Sequence, residues 1–171
     1  VSELYYASLR YYRNLSSIDE YYTKTPAHNS SPGSTEIAKW VDGFPVVRSW
    51  SDPIQYACQK NVVLGIGDVN THRDKNLPGN TSGTDEPTKP SEVTNDNTVD
   101  VRTATDKIAA LEGISIDTSA ASYSGRNNSA FMAGLAYDAN TTDIRPTDYA
   151  GTQTVQTYWV DVLENEVLRD K

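Results

Sequence analysis

Polar side chains recur at alternate positions after residue 67, and all but one of them carry an oxygen. Asp68, Asn70, His72, Asp74 and Asn76 occupy every second residue of this segment. Calcium-binding loops present carboxylate and amide oxygens to a hard cation with this spacing. The pattern therefore indicates a candidate Ca²⁺ or Mg²⁺ site, with Asp68, Asn70 and Asp74 as its candidate ligands.

Two positions of this segment depart from an EF-hand calcium loop. In such a loop, counted here from Asp68, the sixth residue is glycine and the twelfth is glutamate, but this chain has Arg73 and Gly79 there. A hydrated loop rich in turns explains the same composition without a metal. The sequence favours that second interpretation and leaves the metal site as the alternative.

Residues suited to nucleophilic catalysis are few. A serine or cysteine nucleophile needs a base and a group that orients the base, and the chain has only two histidines, His28 and His72, and one cysteine, Cys58. Both histidines fall in loop-like segments. Cys58 precedes an apolar run, which is typical of a small packed hydrophobe. The sequence therefore predicts no enzyme and no catalytic residue.

Tyrosine is the third group of interest, because three adjacent pairs occur near the start of the chain. They are Tyr5-Tyr6, Tyr11-Tyr12 and Tyr21-Tyr22. Helical spacing places Tyr5 and Tyr12 with apolar residues, so we expect these two in the core. Tyr6, Tyr21 and Tyr22 are candidate ligand contacts, since a tyrosine brings a large ring and a hydroxyl to a binding surface at small entropic cost.

Periodic apolar residues predict three helices and two strands around these side chains. The predicted helices cover residues 3–14, residues 101–111 with Gly113 as the carboxyl cap, and a segment that opens at Asn128 or Ser129; the predicted strands cover residues 61–67 and 154–163. Helices that separate two strands in sequence are typical of a parallel α/β sheet. In such a sheet, Asp68 lies at the carboxyl end of the first strand, where ligands gather.

The run 61–67 and the segment 70–100 have opposite compositions. The run is apolar, as in a parallel strand covered on both faces, and its two glycines, Gly65 and Gly67, indicate close approach by backbone or a ligand. Residues 70–100 are mostly polar, so we expect a polar loop insertion that adds nothing to the core.

Length and charge narrow the function further. The chain has 171 residues, 37% of them hydrophobic, and a net charge of -8, which fits one domain from 1 to 171. The excess of acidic residues argues against nucleic acid as a partner, because phosphate binding needs clustered Lys and Arg. No apolar run approaches the ~20 residues of a membrane-spanning helix. With Val1 as its first residue, the chain is interpreted as a soluble fragment or processed product.

One stretch carries a family resemblance. It reads W-S-D-P-I-Q-Y from Trp50 and C-Q-K-N from Cys58, and then an apolar strand ends at Asp68. This order resembles the amino-terminal, von Willebrand factor A-like region of the PilY-type tip-associated proteins of bacterial type IV pili. The segments 2–11, 131–137 and 143–162 extend the resemblance over most of the chain outside the central loop.

The resemblance implies an α/β fold of the von Willebrand factor A or Rossmann-like kind, a partial parallel sheet flanked by helices with long polar loop insertions. Asp68 matches a late-strand position of that fold's metal site. The fold's main ligand motif, Asp-x-Ser-x-Ser, should precede this strand, but the nearest match begins at Asp117 and follows it.

The implied function is that of a non-enzymatic module in pilus biogenesis, surface adhesion and surface sensing, located at the cell surface. Its implied partners are minor pilins at the pilus tip, the rest of its own parent protein, and a host or abiotic surface ligand. Two alternatives stay open: a structural subunit of an extracellular filament or complex, and a secreted hydrolase.

Overall fold

Two strands and four helices make up the regular structure of the described residues. The computed structural model describes residues 1–19, 47, 49–67, 76–81, 88–116 and 130–162. The elements along the chain are α1 (Ser2–Tyr12), β1 (Asn61–Gly67), α2 (Ser91–Thr94), α3 (Val101–Glu112), α4 (Phe131–Thr141) and β2 (Val155–Asp161). This order agrees with the predicted α/β class. Each predicted helix and strand is present, and α2 is the addition.

Local chemistry accounts for the ends of α3. The Asp100 side chain accepts a hydrogen bond from the Thr103 backbone N–H at 2.8 Å, which satisfies one of the free donors of the first turn. Gly113 ends the helix with φ 69°, a left-handed conformation that glycine adopts without a steric penalty. The predicted cap at Gly113 is therefore confirmed. In α1 the cap is Val1, and Ser2 is the first helical residue.

The strands β1 and β2 pair in parallel, with a register that runs from Asn61 opposite Val155 to Gly67 opposite Asp161. Parallel neighbours need a long crossover connection, and α2, α3 and α4 all lie between them in sequence. One face of the sheet is covered: the Tyr5 hydroxyl on α1 shares a 2.5 Å hydrogen bond with the Thr157 hydroxyl on β2.

The core draws on the segment that we expected to be a polar insertion. Leu77 and Val93 are fully buried and Val99 is 7% exposed, so the expectation that residues 70–100 add nothing to the core is wrong. Sparse apolar residues suffice here because polar side chains satisfy the nearby backbone. The Lys89 ammonium donates to the carbonyl oxygens of Leu77 and Asn80, which ties this segment together.

An aromatic side chain explains the glycines of β1. The Trp159 indole lies over Gly65, where an added Cβ would overlap the ring carbons Cε3 and Cζ3. Over Gly67 the same ring is further away, 3.4 Å from a built Cβ. The close approach predicted at these glycines is thus made by a neighbouring side chain in the sheet.

Candidate functional site

Most of the predicted site residues lie outside the described residues. This is so for the candidate metal ligands Asp68, Asn70 and Asp74, and for Tyr21 and Tyr22. In the described part of the chain, no group of three or more His, Cys, Asp or Glu side chains could hold a metal ion. The structure does place Gly67, the residue before Asp68, at the carboxyl end of β1 opposite Asp161.

Tyr6 is in the core and not at the surface. Its side chain is fully buried; its hydroxyl donates to Asp96 and accepts from Arg10 Nη1 at 3.0 Å. The expectation that Tyr6 contacts a ligand is therefore wrong, because the side chains of Tyr5 and Tyr6 both lie in the core. Tyr5 is 3% exposed, as predicted.

Arg10 and Asp96 form a buried ion pair beside Tyr6. Arg10 Nη1 lies 3.1 Å from Asp96 Oδ2, and the two side chains are only 5% and 2% exposed. Asp96 also accepts hydrogen bonds from the Thr98 backbone N–H and hydroxyl, at 2.8 and 2.6 Å. Burial acts to raise the pKa of Asp96, but the hydrogen bonds from Thr98 and Tyr6 and the charge of Arg10 outweigh it, and the pKa lies below its ordinary value.

Arg145 forms a second ionic centre that joins distant segments. Its Nη1 and Nη2 donate to the two carboxylate oxygens of Asp52 at 3.0 and 2.7 Å, and its Nε donates to Asp148 at 2.6 Å. Nη1 also reaches the Tyr12 carbonyl oxygen at the end of α1. The hydrogen bonds from Arg145 hold the pKa of Asp52 below its ordinary value. Both partners of this fork-to-fork pair belong to segments that carried the family resemblance.

The other polar residues of the signature before β1 hold its backbone in place. Gln59 Nε2 donates to the Pro53 carbonyl oxygen at 2.9 Å, and the Asn61 side chain donates to the Thr154 carbonyl oxygen at 3.1 Å. The Tyr149 hydroxyl donates to the Ile54 carbonyl oxygen at 2.5 Å. Through these contacts the signature acts as a structural brace: its side chains fix the backbone that leads into β1. Cys58 within it is exposed, so the prediction that it packs inside is wrong.

The second face of the sheet is open. Its apolar and aromatic side chains are 42–67% exposed. They are Val62, Leu64 and Ile66 on β1 and Tyr158 and Val160 on β2, and together we call them the open sheet face. The exposed polar side chain of Gln156, opposite Val62, borders them on the same side of the sheet. The predicted coverage of β1 on both faces is therefore not met within the described residues. A continuous apolar run reveals that both faces are apolar, but it carries no information on what covers them.

A groove of about 430 Å³ lies next to the open sheet face, between β2 and the helices α3 and α4. It is lined by Ile108, Glu112, Ala133, Ala136, Tyr137, Asn140, Gln156, Thr157 and Tyr158. Tyr158 belongs to both the groove and the open sheet face, so the two form one continuous surface. Concave, largely apolar surfaces of this kind are where proteins bind ligands or partner segments.

No helix in the described ranges has the length and apolar character needed to cross a membrane.

Comparison with known proteins gives two matches. The family model for the PilY1 homolog second domain matches residues 1–145. The type IV pilus biogenesis factor PilY1 homolog of Xylella fastidiosa (strain Temecula1) is 48% identical over 174 residues, a match that covers 96% of this chain and 14% of that protein. The chain thus spans about one seventh of the length of this relative. No solved structure matches this chain.

Proposed function

The chain belongs to the PilY1 homolog second-domain family, and from that membership we propose that it is a non-enzymatic module of a type IV pilus biogenesis protein. The observation that carries the proposal is 48% identity sustained over 96% of the chain to a protein named as a pilus biogenesis factor.

The use of the ionic groups supports a non-catalytic role. Asp96, Asp52 and Asp138 each pair with an arginine, namely Arg10, Arg145 and Arg13. A carboxylate that acts as a general acid or base has to face substrate and exchange a proton near the working pH. Asp96 and Asp52 instead have lowered pKa values and partners within the protein, which suits the support of a scaffold.

The proposal also includes finer points on location, partners and fold. The module is extracellular, contacts minor pilins at the pilus tip, and takes part in surface adhesion and sensing, with Tyr21 and Tyr22 as candidate contacts for a surface ligand. Its 171 residues form a single domain of the von Willebrand factor A-like kind, with 70–100 as an insertion that contributes side chains to the core. The parallel pair β1 and β2, with helices between them in sequence, supports that fold.

Removal of the module tests the pilus function. In the longer protein, residues 1–171 are replaced by a flexible Gly-Ser linker of matched end-to-end reach. We expect cells with this variant to lose surface pili, measured as pilin sheared from the cells, while immunoblotting shows the shortened protein at its normal level. Lys107→Ala, a change at an exposed position of α3 that does not line the groove, is the matched control and is expected to leave piliation unchanged. Normal piliation without the module would contradict the proposal.

A metal at the carboxyl end of β1 belongs to the proposal as well, with Asp68, Asn70 and Asp74 as its ligands. Hard divalent cations take carboxylate and amide oxygens, and the end of a parallel strand is where such groups converge. Calorimetric titration of Ca²⁺ and then Mg²⁺ into chelator-treated protein is expected to give heat of binding that Asp68→Ala abolishes and Asp106→Ala, on α3, retains. Equal binding by the two variants would rule out Asp68 as a ligand.

A structural subunit of an extracellular filament is the second candidate function. The open sheet face is the surface that such a subunit would bury against its neighbours in the filament. Sedimentation of the chain as a monomer at all concentrations would count against this candidate.

A further inference from the structure

The open sheet face is a contiguous apolar surface. In the parallel register Leu64 lies beside Tyr158 and Ile66 beside Val160, so these side chains project from the same side of the sheet. Their exposed fractions are 62%, 57%, 67% and 49%, respectively. Parallel sheets occur almost only with both faces covered, and large exposed apolar patches on soluble proteins mark interaction sites.

We propose that an amphipathic helix from outside residues 1–171 of the same polypeptide covers the open sheet face. This inference rests on the proposed function, because it requires the chain to be a module of a longer protein. The curated relative offers the necessary length, since the match covers only 14% of it. A segment of the same polypeptide also has a high effective concentration at the surface, which a separate protein lacks.

The chemistry of the face selects a helix as the occupant. A strand adds to a sheet by hydrogen bonds at an edge, whereas the faces of a parallel sheet such as β1–β2 are covered by helices. The opposite face already follows this rule: α1 packs on it through Tyr5, whose hydroxyl bonds to Thr157. A second helix layer would complete a three-layer α/β sandwich, and the groove beside Tyr158 would receive its edge.

Charge argues against a second copy as the occupant. The chain has a net charge of -8, so two copies repel each other as their surfaces approach. The face itself offers no charged side chain to offset that repulsion, because Val62, Leu64, Ile66, Tyr158 and Val160 are all uncharged. A segment tethered to the chain avoids this cost of association.

Photo-cross-linking in the full-length protein tests the proposal. Leu64 and Val160 are replaced, one at a time, by the photo-reactive residue benzoylphenylalanine. Leu4 on α1, which is 74% exposed and belongs to the helix that packs on the opposite face of the sheet, receives the same replacement as the matched control. All three positions are exposed in the structure, so the bulky residue displaces no core side chain. Mass spectrometry then identifies the peptides joined after illumination.

The expected result is a cross-link from positions 64 and 160 to one helix-forming peptide outside residues 1–171, and no such product from position 4. Cross-links between two copies, to a separate protein, only to peptides within 1–171, or to none would overturn the proposal. The pilus assay described above has a different readout. Normal dependence of piliation on the module, with no such cross-link, would reject the covering helix and leave the proposed function intact.

Discussion

Asp96→Ala is expected to lower the free energy of unfolding by about 3–5 kcal/mol, the cost of removing one member of a buried ion pair. The change leaves the Arg10 guanidinium in a site where its side chain is only 5% exposed. It also removes the acceptor of the Tyr6 hydroxyl and of the Thr98 backbone N–H. Urea unfolding of the 171-residue chain, followed by tryptophan fluorescence, measures the difference.

A double variant separates charge from packing. Arg10→Met with Asp96→Leu removes both charges and keeps apolar volume, so its loss of stability should be well below that of Asp96→Ala, because replacement of a buried pair by hydrophobic residues is often neutral. Glu112→Ala, at an exposed position, should stay within about 0.5 kcal/mol of the unmodified chain. If the single and double variants were equally destabilised, the uncompensated charge would not be the cause.

Acid titration gives the same pair a second readout. The pKa of Asp96 is lower in the folded chain than its ordinary value, so the folded state binds fewer protons at this carboxyl than the unfolded state. The resulting stabilisation is present above the ordinary pKa of about 3.9 and is lost as the pH falls through the folded-state pKa. The difference in unfolding free energy between the chain and Asp96→Ala should therefore narrow below about pH 4.

Local patterns in the sequence predicted the elements well, because their causes are local. The apolar run of β1 was predicted with the same bounds that the structure has, Asn61–Gly67. The left-handed cap at Gly113 followed from glycine's freedom at positive φ. The α3 helix ends within one residue of its prediction, at Glu112. In each case the deciding contacts lie within a few residues along the chain.

Long-range polar contacts account for the buried residues that local sequence patterns did not predict. Tyr6 was assigned to the surface because the helical spacing of Tyr5 and Tyr12 accounted for the core; its partner Asp96 is 90 residues away. Val93 and Val99, on either side of Asp96, are buried together with it. A buried charge pair lets a polar segment enter the core, and no single-sequence pattern reveals which Arg and Asp will meet.

The candidate site also has features that local sequence predicts and features that depend on distant contacts. Asp68 at the end of β1 follows from the strand prediction, whereas the open sheet face does not. Side chains alternate along each strand in any register, but the register of β1 against β2 decides which residues of the two strands lie together on that face. The signature around Asp52 pointed to the family, but its role as a brace depends on Arg145, 93 residues further on. Sequence therefore predicted which segments matter and not which contacts they make.

Gly65→Ala is expected to destabilise the chain by about 1–3 kcal/mol, the range for overpacking in a filled site. The new Cβ would overlap the Trp159 indole, whose ring lies directly over Gly65 in the paired strand. Gly67→Ala is the matched control in the same strand, since its Cβ would stand 3.4 Å from Trp159 Cζ2, close to ordinary van der Waals contact. We expect urea unfolding to show a small change for Gly67→Ala, because alanine also loses less backbone entropy than glycine on folding.

The indole itself identifies the cause. In a Trp159→Leu background the smaller side chain leaves room above β1, so Gly65→Ala should cost much less there than in the unmodified chain. Such a coupling between the two positions is what a direct steric contact produces, and separate sites would give additive changes. Additive losses would mean that Gly65 is needed for its backbone conformation. Coupled losses would establish that glycine is retained in β1 because the β2 tryptophan occupies the space of its side chain.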